Sequence, residues 1–298
     1  MKKLAEFLSP KFFWYFWKQE YIKEFNSPGS RLSSGWQSSG LHSAVFFYYT
    51  SMLEIKNLHA SVADTEILHG IDIAFEKGKN TCILGKNGSG KSSLASIIMG
   101  NPTYEVIEWT ISLDGKNLLE MPPEERSLAG IFLSFQNVTE IKGIKVSEYL
   151  RTIYNLHLPR IAPGTNALSP MLFSRFLKPI LASCDIPESF MERDLNVWFS
   201  GGEKRKLEVL QLKLLKPTYI ILDEIDSGLD LDAFKLVAKM LSECSGPDTS
   251  IIIITHYFEI LESFQVDQVV VMNKGIITRR GWAELATEIR QKWFRESE

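Results

Sequence analysis

The sequence has few cysteines, no long apolar run and no excess of positive charge. Its three cysteines, Cys82, Cys184 and Cys244, stand far apart, and none belongs to a C-x-x-C pair. That spacing argues against a zinc site or a disulfide framework and fits a reducing, cytoplasmic compartment. Each reads as a small buried hydrophobe and not as a ligand. No apolar run approaches the ~18 residues that span a bilayer, so no direct membrane insertion is expected. The longest aromatic cluster, Phe12 to Trp17, is far shorter. The formal net charge is -3, so no basic field points to nucleic acid, and any affinity for phosphate must be local.

What is present is an ordinary globular balance over 298 residues, with 45% hydrophobic and 23% charged. Such a chain buries a core without staples. Residues 1–51 differ from the rest: an aromatic cluster flanked by lysines, a Ser/Gly-rich stretch from Asn26 to Ser43, then apolar residues again. Three readings compete there. One is a docking or membrane-surface helix. Another is a targeting peptide, against which Glu6, Glu20 and Glu24 count. The reading favoured is an upstream extension, disordered or non-native, with Met52 the natural start.

From Met52 the pattern is regular. Leu53 to Leu58 alternates like an edge strand, Ile67 to Phe75 is extended, and Asn80 to Leu84 is a short apolar strand. Ser92 to Met99 reads as a helix, Asp114-Gly115 as a turn, and Ile131 to Phe135 as a strand. About Ser147 to Asp194 is helical, and Glu203 to Leu215 is a further helix. Tyr219 to Leu222, Ile251 to Ile254 and Val269 to Met272 are near-continuous apolar strands, as in parallel sheets buried on both faces.

The strongest chemical signal is Gly85-Lys86-Asn87-Gly88-Ser89-Gly90-Lys91-Ser92, a full G-x-x-x-x-G-K-[ST] loop between an apolar strand and a helix. Glycines let backbone N–H groups wrap phosphate oxygens, and the helix points its positive end at the anion. Lys91 is placed to reach the β- and γ-phosphates of ATP, and the Ser92 hydroxyl to ligate Mg²⁺. The second signal is Tyr219-Ile220-Ile221-Leu222-Asp223-Glu224, an apolar strand ending in two acids. Asp223 is expected to hold Mg²⁺ through water and Glu224 to polarise the attacking water. The third is Ser200-Gly201-Gly202-Glu203. Ser200 and Glu203 form a capping box. Two glycines in that first turn cost roughly 1 kcal/mol each against Ala, so they are explained only if backbone there approaches a ligand.

Phosphate loop, Ser-Gly-Gly-Glu and strand-Asp-Glu, in this order around a helical insertion, resemble an ABC-type ATPase domain. The resemblance implies an α/β P-loop NTPase fold. It has a mixed, mainly parallel sheet core, an N-terminal antiparallel β subdomain and a helical subdomain at about 146–198 within a domain 52–298. It also implies roles for Gln136 (Mg²⁺ and water sensing), Asp226 in Asp226-Ser227-Gly228-Leu229-Asp230 (dimer interface and nucleotide) and His256 (γ-phosphate), and adds Ser93 to the nucleotide-binding set. The family normally stacks an aromatic on adenine. That place falls near Val62, and no aromatic lies between Met52 and Phe75, so weak ATP affinity is expected in the monomer.

Several stretches are similar to the ATPase of the Suf iron–sulphur cluster assembly system: 113–119, 123–126, 130–136, 199–205, 226–230 and Thr255-His256-Tyr257. One departure is Asn137 to Gly143, which lacks the acidic-proline segment usual there. The resemblance implies that two copies enclose ATP head to tail and drive SufB/SufD-like β-helical scaffold proteins. A nucleotide-binding subunit of an ABC transporter is the alternative. A nucleotide-gated module without turnover is a third, against which Glu224 and His256 count.

Overall fold

The three-dimensional structure is a computed structural model. It describes residues 52–134, 138–224, 241–255 and 264–282, with 284–285 and 288–289. The expected extension 1–51 and the site candidates Gln136, Asp226 and His256 lie outside the described residues.

An antiparallel sheet comes first. Strands β1 (Met52–Val62) and β2 (Thr65–Glu76) form a hairpin, and β1 pairs on its other side with β4 (Glu105–Leu113), which pairs with β5 (Lys116–Asn117). The hairpin turns Ala63-Asp64 and Asp114-Gly115 place both central residues at positive φ, the mirror-image turn that matches strand twist. The sequence reading of β1 as an edge strand is corrected here: β1 lies inside the sheet, between β2 and β4. Its alternation arises because Leu53, Ile55, Leu58 and Ala60 are buried while Met52, Glu54, Lys56, Asn57 and His59 lie nearer solvent.

The main sheet has the order β12-β11-β3-β10-β9-β6. Its strands are β3 (Thr81–Leu84), β6 (Ile131–Ser134), β9 (Tyr219–Asp223), β10 (Ser250–Thr255), β11 (Gln268–Asn273) and β12 (Ile276–Gly281). All neighbours are parallel except β11 and β12, which form a hairpin across Lys274-Gly275. β3 and β10 are buried along their whole length. Both faces are covered, which explains runs such as Ile251 to Ile254 with no polar interruption. On one face Ile83, Ile221, Ile252 and Ile254 share a core with the antiparallel sheet and helix α1 (Lys91–Ile98). On the other, Leu84, Leu222, Ile251 and Ile253 pack with Leu241, Phe264 and Leu285.

After the short helix α2 (Pro123–Leu128), helices α3 (Val146–Ile161) and α4 (Pro170–Ser183) fill the expected helical region. A two-stranded ribbon closes it, β7 (Ile141–Lys145) with β8 (Asp194–Leu195), an element absent from the sequence reading. Helix α5 (Gly201–Leu215) then leads back to the main sheet. The helical region has its own core, in which Leu150, Phe173, Leu177 and Leu181 meet Leu207 and Leu210 of α5. Leu212 of the same helix belongs to the core of the main sheet. Among the described residues, no helix is long and apolar enough to cross a membrane.

Candidate nucleotide site

The parallel register aligns the C-terminal ends of four strands. Thr255 pairs with Leu84, Asp223 with Ile254, and Ser134 with Leu222. One edge of the main sheet therefore receives the phosphate loop, both acids, and the chain ends that lead in sequence to Gln136 and His256. In open parallel sheets this edge is where ligands bind.

Residues 85–90 bridge β3 and α1. A side chain on Gly85 would collide with the Met272 carbonyl and the Ser89 hydroxyl, and Gly88 and Gly90 have φ of 77° and 96°. Gly90 caps α1 without any side-chain hydrogen bond, which leaves the helix N-terminus to an outside acceptor. The Ser89 hydroxyl is buried and without a partner. From behind, the loop is braced by Gly275, whose N–H donates to Ser89 O (3.1 Å) while its carbonyl accepts from His69 N–H (2.9 Å).

Lys91 is 3% exposed, and its ammonium donates to the carbonyls of Gly85 (2.8 Å) and Lys86 (3.1 Å). Burial lowers its pKa, opposed by the charges of Glu224 and Asp223. Ser92 Oγ donates to Asp223 Oδ1 at 2.9 Å. Burial pushes Asp223 up to about 6, against the Ser92 hydrogen bond that lowers it, with Glu224 raising it further and Lys91 lowering it. These groups fit Mg²⁺. Ser92 Oγ and Asp223 Oδ1 are hard oxygen donors side by side, so an ion ligated by the hydroxyl would have the carboxylate within reach of one of its waters. A cation there also relieves the buried carboxylate. Among the described residues no three His, Cys, Asp or Glu side chains form a metal cage.

Glu224 follows directly, with φ 50° and its N–H donating to Ile254 O at 2.9 Å. A left-handed backbone at a non-glycine residue is strained, and such strain gathers at functional sites. The structure thus brings Lys91, Ser92, Asp223 and Glu224 to one place.

The Ser200-Gly201-Gly202-Glu203 start of α5 is built as expected. Glu203 N–H donates to Ser200 Oγ (3.2 Å), and Ser200 N–H donates to Glu203 Oε2 (2.8 Å). Glu203 also pairs with Arg193, whose guanidinium lies 4.4 Å from the Phe199 ring centre. The Ser200 N–H and then Arg193 hold the Glu203 carboxyl below its usual range. A Cβ added at Gly201 or Gly202 would meet nothing within 4 Å. No internal contact of the described residues demands glycine there.

One network was missed from sequence. Ser134 Oγ donates to Glu208 Oε1 (2.8 Å), and Arg205 donates to Ser134 Oγ (3.1 Å) and to Glu208 Oε2 (2.6 Å). It ties α5 to the end of β6, two residues before Gln136. Burial raises the Glu208 pKa, opposed by Arg205. A Glu in mid-helix carries no sequence signal for burial. The partner that satisfies it, Ser134, is 74 residues away.

A profile of the family described as "ABC transporter" matches residues 68–227. A "Probable ATP-dependent transporter ycf16" of Cyanophora paradoxa is 43% identical over 252 residues, covering 84% of this chain and 96% of the relative. A "Probable ABC transporter ATP-binding protein" of Streptococcus pyogenes serotype M18 is 42% identical over 244 residues, covering 82% and 94%. Among solved structures, an ATP-binding subunit of an ABC transporter superposes with a TM-score of 0.65 at 23% identity, covering 82% of this chain and 93% of the other. A nucleotide-free ATP-binding cassette from an ABC transporter gives 0.62 at 23% identity, covering 80% and 94%. At that identity the structures speak for the fold alone.

Proposed function

This chain belongs to the ABC transporter family and is an ATPase, and on that premise we propose that it powers iron–sulphur cluster assembly on a SufB/SufD-like scaffold through ATP-driven pairing. The pairing is supported by one observation above the others: Gly201 and Gly202 open α5 with unoccupied space beside them and no internal reason to be glycine. Facing another copy, their N–H groups suit a phosphate held by that copy's loop. The Suf assignment is supported by the sequence stretches from Leu113 to Tyr257 named above.

In this reading Gly85 to Ser93 cradle the triphosphate, and Lys91 swings its ammonium from the loop carbonyls to the β- and γ-phosphates. Ser92, Asp223 and Gln136 would hold Mg²⁺, which when bound supplies charge neutralisation at the phosphate oxygens. Glu224 orients and polarises the attacking water. His256 meets the γ-phosphate, and Asp226 lies at the contact between copies. Hydrolysis removes the γ-phosphate bridge between the copies, and they part. The closing and parting of the pair would work on the bound scaffold; the unit that pairs is the domain 52–298, with its helical subdomain at about 146–198 and residues 1–51 as an extension outside it.

A second reading has printed names behind it: the relatives from Cyanophora and Streptococcus are called transporters or transporter ATP-binding proteins. There the partner is a membrane permease. One bait separates the two. Tagged Glu224→Gln protein with ATP and Mg²⁺ is expected to pair and to turn over at least ~100-fold more slowly, a barrier rise near 3 kcal/mol. From its own cells it is expected to capture soluble β-helical scaffold subunits. Capture of a permease instead would overturn the Suf assignment, and unchanged turnover would remove Glu224 from its role.

A further inference from the structure

Trp198 is 83% exposed, yet it is not a loose surface residue. Its φ is 57°, and Asn196 two residues earlier has φ 61°. A bulky side chain in the left-handed region is an outlier that glycine would relieve. The loop is nevertheless held from several sides. Trp198 O accepts from Arg193 Nη2 at 3.0 Å, Asn196 Nδ2 donates to Thr139 O at 2.9 Å, and Phe199 N–H donates to Asn196 O at 3.4 Å. Arg193 is the same guanidinium that pairs with Glu203 of the capping box. The backbone under the indole is therefore fixed to the start of α5, two residues from Ser200. A strained position that a simpler residue would relax, kept in place by this many bonds, is a place to look for a task.

We propose that Trp198 stacks on the purine of the nucleotide held by a second copy's phosphate loop. The inference rests on the shared-nucleotide reading above. With the phosphates against Gly201 and Gly202, the rest of the nucleotide extends past the α5 N-terminus. Trp198 is the exposed aromatic at that end of the helix. Along the stretch from Met52 to Phe75, the copy that grips the phosphates has no exposed Phe, Tyr or Trp to offer the base. Phe75 is fully buried, and beside the loop stand the aliphatic Ile67 and Leu68. An aromatic supplied in trans makes good that lack. It also makes base recognition conditional on pairing, so a lone copy binds ATP chiefly through its phosphates.

The test titrates ATP into the Glu224→Gln chain with Mg²⁺ and follows pairing by light scattering. Adding Trp198→Gly is expected to raise the ATP midpoint about tenfold, the scale of one base–aromatic stack. The melting temperature of the nucleotide-free chain should hold or rise, because glycine occupies the left-handed region freely. Trp198→Phe is expected to restore most of the midpoint and Trp198→Leu, equally apolar but not aromatic, to restore little. An unmoved midpoint in Trp198→Gly, or rescue by Leu as good as by Phe, overturns the assignment and leaves the shared site standing. Failure of the Glu224→Gln parent to pair at all overturns the shared site, and Trp198's role with it.

Discussion

His157 shows how far a single buried group can set a property of the chain. It lies on α3 at 5% exposure, its Nδ1 has no partner, and its Nε2 is 3.5 Å from Ser127 Oγ. Burial first, and then the nearby Arg160 charge, hold its pKa down to about 4. A histidine whose pKa is depressed on folding binds fewer protons folded than unfolded between that value and about 6.5. Stability present at pH 7 is therefore lost as pH falls through that window. His157→Leu is expected to remove this acid arm: by chemical denaturation, the stability difference between pH 7 and pH 5 should shrink by about 2 kcal/mol. At this scale the sequence was most legible for Lys91, Ser92 and Asp223, because each is fixed by a spacing within one loop or one strand. It was silent on the Glu224 backbone, since a left-handed φ at that residue comes from the strand end and not from the residue type.

Helix α5 is the element on which the reading of pairing turns. Its capping box was visible as Ser200 and Glu203, because N-terminal capping is decided within four residues. Its apolar face was visible too, with Leu207, Leu210 and Leu214 at helix spacing and all buried, but its polar contacts were not. Ser134, Arg205 and Glu208 look like surface residues until the fold brings β6 against the helix. The same limit explains β1: an alternating strand with one solvated face reads alike at the edge of a sheet and inside an antiparallel one. The β7–β8 ribbon escaped because Ile141 to Lys145 holds two lysines and a glycine, and β8 is two residues long. The opening glycines give this element its own test. Replacing both Gly201 and Gly202 by Ala is expected to stabilise the chain by roughly 0.5–1 kcal/mol for each, read by chemical denaturation. ATP-driven pairing and turnover are expected to disappear. Loss of stability together with activity would instead make the glycines structural.

For the whole molecule, the decisive geometry is that loop and acids sit at one sheet edge while the α5 N-terminus is built on the helical region. In the proposed pairing, two copies facing each other would complete two sites, each from the loop of one and the helix start of the other. Lys91→Ala and Gly202→Asp chains are each expected to be inactive alone. Mixed one to one, they should recover roughly a quarter of normal turnover, since half of random pairs are mixed and each mixed pair keeps one intact site of two. A phosphate-release assay on the mixture checks this, and no recovery would place both halves of a site in the same chain. The fold class was legible at this scale because its parallel strands are continuous apolar runs. The sheet order was not, because β3 is flanked by strands from the end of the chain. That order carries a consequence in time. The strand that leads into the phosphate loop is registered by Ile252 beside Thr81 and by Gln268 on its other side. At about 5–20 residues per second, a ribosome needs on the order of ten seconds or more to reach those partners after making Thr81. The grip on ATP is thus among the last parts of the newborn protein to take shape, and a chain cut short before them would never acquire it.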